Sequence, residues 1–251
     1  MTAPIIPGAE PWSADGTNGH GALVLHGFTG NCNSMRGLAE AFHRAGYAVE
    51  LPLLPGHGTS VEDMLGTHWG DWSSAVEAVY ESLASRCDKV VVVGLSMGGS
   101  LTCWLATRHP EIAGIVCINP ATQVSPEMRE LVEQMVVAGE EVMPGIGSDI
   151  ADPDATESAY EGTPVKPLLS LFDAAEEFGS HLDRITCPLL LFTSPQDHVV
   201  PPTDSDHLAA GVTGPVERVT CERSFHVATL DYDKGLIEDG SVAFADKVTA
   251  S

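Results

Sequence analysis

Four consecutive valines, Val90 to Val93, run without a break into Gly94-Leu95-Ser96-Met97-Gly98. An uninterrupted β-branched run suits a strand buried on both faces, the condition of a central strand in a parallel sheet. The glycines after it admit an abrupt strand-to-helix bend, because a Cβ at either position would run into the neighbouring strand or helix. Residues 101–107 then read as helix. The sequence thus predicts a bend that lifts the Ser96 hydroxyl above the sheet edge.

The rest of the chain fits that frame. Strands are predicted at 22–26, 47–51, 89–94, 112–119, 189–193 and 216–220, separated by longer amphipathic stretches. This alternation is the signature of a mostly parallel sheet flanked by helices, an α/β fold. In residues 68–86, Trp72, Val76, Val79, Tyr80 and Leu83 recur at helical spacing. Near the end, Leu236, Ile237, Phe244 and Val248 do the same, and both stripes read as core packing. The alternation breaks at residues 121–183, a Pro-interrupted stretch with helical and irregular character and no evident strand. Such an insertion reads as a cap over one sheet edge, so the expected organisation is one domain, 1–251, carrying a cap.

A serine hydroxyl is a poor nucleophile near neutral pH and needs a base that is itself oriented by a carboxylate. In this topology the chain order is serine, acid, histidine. Asp197 lies just beyond the strand at 189–193, and His226 just beyond that at 216–220. The first interval accommodates the cap, the second one helix and one strand. Rivals fit less well. His20, His43, His109 and His207 fall away from strand ends and are expected to face solvent, while His57, in Pro55-Gly56-His57-Gly58, reads as a loop brace. His198 adjoins Asp197, but sequence neighbours rarely face each other, and Asp204 and Asp206 fall in or near the next helix. For the oxyanion, the expected donors are the N–H of Met97, at a helix N-terminus, and that of Phe28, in His26-Gly27-Phe28-Thr29-Gly30.

Composition excludes other classes. The 251 residues hold 35 Asp+Glu against 12 Lys+Arg, a formal net charge of -23. That field repels nucleic-acid phosphates and anionic membrane surfaces. No window is long and apolar enough to span a bilayer, so stable membrane insertion is not expected. Met1 to Glu10 lack the basic flank and apolar run of a secretory signal. The six cysteines form no C-x-x-C pair and no zinc-like spacing, and three read as small buried hydrophobes, which together point to the cytoplasm. No metal or organic cofactor is implied, and the oligomeric state is left open.

Taken together, these motifs resemble the α/β-hydrolases, and more narrowly the small bacterial monoacylglycerol lipases and related carboxylesterases. The resemblance spans Gly8-Ala9-Glu10-Pro11, His26–Gly30, Leu54-Pro55-Gly56-His57-Gly58-Thr59, and Gly94–Gly99. It continues through Ile146-Gly147-Ser148-Asp149, Asp197-His198-Val199-Val200-Pro201-Pro202, and His226-Val227-Ala228-Thr229-Leu230-Asp231-Tyr232-Asp233. It implies a Ser96–Asp197–His226 triad, an oxyanion hole at Phe28 and Met97, and hydrolysis of carboxylic esters, monoacylglycerols first among them. A short- or medium-chain carboxylesterase, a lysophospholipase-like esterase and an acyltransferase are its alternatives. A non-catalytic receptor is disfavoured by the intact triad and oxyanion loop. Phe225 stands where several relatives are expected to carry tyrosine.

The cap bears on substrate. Met128, Leu131, Val132, Met135 and Val136 recur at helical spacing, followed by Val142, Met143 and Ile146. They suit packing onto the layer below and an adaptable acyl tunnel equally well. Residues 126–162 contain ten acidic side chains and one basic one, Arg129. An acidic mouth disfavours coenzyme A thioesters, phosphorylated lipids and free fatty acid, and suits a small neutral ester. By the resemblance, Ile146 falls near the acyl chain and Glu157 near the polyol head group, whose hydroxyls a carboxylate can accept.

Overall fold

The computed structural model describes residues 3–145 and 147–250. The elements are β1 (Trp12–Ala14), β2 (Gly21–Leu25), α1 (Arg36–Arg44), β3 (Ala48–Leu51), α2 (Val61–Met64), α3 (Trp69–Ala84), β4 (Val90–Leu95), α4 (Met97–Ala106) and β5 (Gly114–Ile118). They continue with α5 (Pro126–Ala138), β6 (Val142–Pro144), β7 (Gly162–Pro164), α6 (Val165–Gly179), β8 (Leu189–Thr193), α7 (Thr203–Gly211), β9 (Val216–Thr220) and α8 (Lys234–Thr249).

Seven strands form one sheet in the order β1-β3-β2-β4-β5-β8-β9. Among the described residues of this sheet, only β1 runs antiparallel, against β3. The valine run is fully buried, and its alternate side chains enter different layers. Val90 and Val92 pack with Trp72, Val76, Tyr80 and Leu83 of α3. Val91, Val93 and Leu95 pack with α1 and with Ile237, Phe244 and Val248 of α8. A strand covered on both faces must be apolar at every position, which is why no polar residue interrupts it.

Parallel register sets the site. Leu25 pairs with Gly94, Leu95 with Ile118, Ile118 with Phe192, and Thr193 with Thr220. Five strands therefore end at one level, and the loops leaving β2, β4, β5, β8 and β9 meet at one edge, where ligands bind in open α/β sheets.

Several expectations are corrected. Strand β1 was missed because three residues are too few to show a period. The 121–183 segment does contain strands: β6 and β7 pair antiparallel, Val142 opposite Pro164. Their prolines and three-residue lengths hide them from any alternation test. Leu236 is exposed while its neighbour Ile237 is buried, so the α8 stripe is narrower than expected. His20, His109 and His207 are half-buried, and only His43 of that group is exposed. His109 bonds Glu77 and Glu111, which draws its ring inward. Five of the six cysteines are buried, rather than three, and all six are free.

Candidate active site

Ser96 occupies the turn between β4 and α4 with φ 56° and ψ -120°, a conformation most side chains avoid. The strand and helix leave no alternative. A Cβ on Gly94 would lie 2.0 Å from the Gly98 carbonyl oxygen, and one on Gly98 would lie 2.3 Å from that of Leu25. Ser96 N–H donates to Ile118 O at 3.0 Å, which pins the turn to β5.

The loops after β8 and β9 bring Asp197 to His226. His226 Nδ1 meets Asp197 Oδ2 at 2.7 Å, with the two side chains 8% and 1% exposed. The other carboxylate oxygen of Asp197 accepts the N–H groups of Val199 and Val200, each at 2.8 Å. Both oxygens of the acid are thus held in place. Ser96 and His226 face the same cavity. Among the described residues no hydrogen bond yet joins their side chains, and such contacts commonly tighten only with substrate bound.

Two backbone donors beside these loops are left unpaired by the fold. Among the described residues, neither Phe28 N–H nor Met97 N–H has a protein acceptor. Met97 opens α4, where the first N–H groups have no intrahelical partner. Thr29, at φ 59°, holds the 26–30 loop in its bend, and Tyr160 N–H donates to Thr29 O at 3.1 Å.

The cavity has a volume of about 540 Å³, within the usual range for small-molecule sites. Its wall over Ser96 comes from the 121–183 segment: Met128, Met143, Leu168, Leu171 and Phe172. On α5 the stripe divides, since Val132 is buried, Met128 lines the cavity and Leu131 is exposed. The α6 contribution was not foreseen. Among the described residues, only Asp149 and Glu157 of the ten acidic residues at 126–162 reach the cavity, and no lysine or arginine lines it.

Glu157 is half-buried, and its carboxylate has no protein donor among the described residues. Burial pushes its carboxyl above the usual range, against the opposing pull of nearby His226. A Cβ on Gly30 would lie 2.9 Å from Glu157 Oε1, so glycine makes room for it. Ile146 lies outside the described residues.

The rival residues are occupied elsewhere. Asp204 accepts the N–H groups of Thr122 and Gln123 at 2.8 and 2.9 Å, and Asp206 pairs with Arg218 at 2.7 Å. His57 is buried against Trp72 and Phe28, with Nδ1 on Pro55 O at 3.0 Å. His198 turns away from Asp197 to Asp149. Among the described residues no group of three or more His, Cys, Asp or Glu is placed to hold a metal ion.

Sequence reasoning missed Asn119, at φ 43° directly after β5. Its Nδ2 donates to His226 O at 2.8 Å and to Ser194 Oγ at 3.0 Å, and its Oδ1 accepts from Ser194 N–H at 2.8 Å. The one available signal was an Asn-Pro at a strand end, since asparagine tolerates positive φ better than most residues.

A parallel sheet with a strained serine bend and its ligand edge under a helical wall defines an α/β-hydrolase. The chain belongs to the Hydrolase_4 family, described as serine aminopeptidase, S33, whose model matches residues 20–233. It is 46% identical over 248 residues to the thermostable monoacylglycerol lipase of Bacillus sp. (strain H-257), covering 97% of each chain. It is 28% identical to a carboxylesterase of Bacillus subtilis (strain 168), over 90% of this chain and 92% of that one. A solved structure from work on the metagenome-derived lipolytic enzymes LipS and LipT superposes with a TM-score of 0.91. That match is at 42% identity and covers 97% of this chain and 100% of the other. The chain is a serine hydrolase.

Proposed function

We propose that this hydrolase cleaves monoacylglycerols to fatty acid and glycerol, with residues 121–183 acting as a cap over the catalytic edge of one domain. The observation that carries the reading is His226, paired with Asp197, facing the cavity that Ser96 shares. Ser96 Oγ attacks the ester carbonyl as His226 Nε2 takes the hydroxyl proton. The carbonyl oxygen becomes an oxyanion held by the Phe28 and Met97 N–H groups. As the intermediate collapses, the bond to the glycerol oxygen breaks and His226 returns the proton to that oxygen. Water, deprotonated by His226, then attacks the acyl-enzyme, and Ser96 leaves with the proton.

The cavity supports a neutral amphiphile. Methionine, leucine and phenylalanine suit an acyl chain, and Glu157 suits glycerol hydroxyls, which need acceptors where water is excluded. The cavity carboxylates disfavour anionic substrates. The small lipid and ester substrates of the named relatives accord with this. Among the described residues no helix is long and apolar enough to cross a membrane, and six free cysteines accord with a reducing cytoplasm.

The test is a panel of esters varying in chain length and head group, run beside Ser96→Ala and a fluorophosphonate label. Monoacylglycerols should be preferred over alkyl esters of equal chain length. Ser96→Ala should lose turnover and labelling together while remaining folded. Near-wild-type activity in Ser96→Ala would sink the mechanism, and a panel led by anionic or head-group-free esters would sink the substrate.

A further inference from the structure

The acid and the base stand on separate loops, after β8 and after β9, and loops of this kind are by default the least ordered parts of a fold. Their alignment therefore needs an external brace. Asn119 supplies one from the sheet side by gripping Ser194 and the carbonyl of His226. The opposite side is gripped by Asp149, from the 121–183 segment. Asp149 Oδ2 accepts the backbone N–H groups of both His226 and His198, each at 3.1 Å. Its Oδ1 meets His198 Nδ1 at 2.8 Å, and its carbonyl accepts the Val227 N–H at 3.1 Å.

The pattern is specific. His198 directly follows the acid, and Val227 directly follows the base. One carboxylate that is 13% exposed thus bonds both loops within one residue of the Asp197–His226 pair. The other carboxylates in the cavity differ: Glu157 has no protein donor among the described residues, and Asp204 serves Thr122 and Gln123. The bond crosses from the cap into the catalytic loops, so the motif Gly147-Ser148-Asp149 does more than cover the site.

We infer that Asp149 is a positioning residue for the reaction, its carboxylate fixing the Asp197 and His226 loops against each other from the cap side. The inference rests on the triad proposed above. Asp149 acts through the two loops and takes no proton itself. What matters is an oxygen able to accept two backbone N–H groups, which an asparagine carbonyl also offers through its two lone pairs.

The experiment compares Asp149→Asn, Asp149→Ala, Asp149→Leu and His198→Ala, each checked for a cooperative melt, with Ser96→Ala measured alongside. Misplacing a reacting group by an ångström or so costs on the order of 100-fold in rate. The folded acceptor-free variants should accordingly lose about 10- to 100-fold in kcat, with KM changed less than about 3-fold. Fluorophosphonate labelling should slow in parallel. Asp149→Asn should recover most of kcat, and His198→Ala, which keeps its N–H, should stay within about 3-fold of wild type. A folded Asp149→Ala or Asp149→Leu with wild-type kcat, a loss carried by KM, or an asparagine variant as slow as the leucine one would each overturn the assignment. Failure of both acceptor-free variants to fold would also overturn it, making Asp149 a determinant of stability. If Ser96→Ala stays active, the triad reading is what fails; if it is dead while the Asp149 variants run normally, only the brace fails.

Discussion

Asp197 Oδ2 lies 2.7 Å from His226 Nδ1, and the acid's other oxygen is held by two backbone N–H groups. In the proposed mechanism this pair fixes the imidazole tautomer that leaves Nε2 free to accept the Ser96 proton. Replacing Asp197 by asparagine keeps the shape but offers an amide N–H where an acceptor is needed. In other triads that exchange costs about 10⁴-fold in kcat. The same loss is expected here, with the melting temperature close to wild type; a kcat within tenfold would remove Asp197 from the role.

The nucleophile turn is controlled by contacts with backbone, which cannot step aside as a side chain can. A Cβ at position 98 would lie 2.3 Å from Leu25 O and 2.8 Å from His26 O. Overpacking typically costs about 1–3 kcal/mol, occasionally more. At roughly 2–4 °C per kcal/mol for chains of this size, Gly98→Ala should melt several degrees below wild type. Thermal unfolding by circular dichroism reads this directly, and an unchanged transition would contradict the contact. Gly235→Ala, with nothing within 4 Å of its added Cβ, is the control.

The elements legible in the sequence are those whose physics is local. Four valines specify a two-face-buried strand, the glycines around Ser96 specify the bend, and Asp197 and His226 follow from strand ends in a set order. Asn119 and Asp149 carry no such mark. Their partners lie 75 to 107 and 49 to 77 residues away, and a single asparagine or aspartate has no periodicity to betray it. The acidity of residues 126–162 was legible as a sum, but which carboxylates face inward depends on how the loop from β6 to β7 folds back. Leu168, Leu171 and Phe172 were missed because an amphipathic helix reads alike whether its apolar face meets a core or a cavity.

His26 and His57 make acid stability measurable. Burial lowers His26 from 6.5 to about 4. Burial, reinforced by neighbouring His26, lowers His57 from 6.5 to about 3. Below pH 6.5 the unfolded chain takes up protons that the folded chain refuses, so its relative free energy drops. The stability contribution is therefore complete above about 6.5 and is lost as pH falls towards 4 and then 3. Over the whole window each histidine accounts for on the order of a few kcal/mol. Glu157 and Asp204, whose carboxyls burial raises, act in the opposite sense. The useful comparison is consequently between wild type and His57→Gln. Urea midpoints at pH 7.5 and pH 5 should fall for both, and less steeply for the variant. Equal slopes would mean that His57 takes its proton as readily in the fold as outside it.

The charge of the cap separates into two populations with different expected effects. Glu127, Glu130, Glu133, Glu140 and Glu141 are exposed and outside the cavity lining, whereas Glu157 lines it. Exposed charges are screened over about 8 Å at physiological ionic strength, so reversing Glu130 and Glu140 to lysine should leave the ratio of neutral to anionic ester turnover within about twofold at that salt. Glu157, by contrast, lines the cavity itself. If its carboxyl receives glycerol hydroxyls, Glu157→Gln weakens a charge-assisted bond and Glu157→Leu removes it, a loss of about tenfold or more in kcat/KM for monoacylglycerols. A methyl ester of the same acid has no hydroxyls to present and should be hydrolysed at nearly the wild-type rate by all three proteins. Parallel kcat/KM measurements on the two substrates decide the matter. Equal losses on both would place Glu157 with the reacting centre through its proximity to His226, and selective loss on the glycerol ester would assign it to head-group recognition.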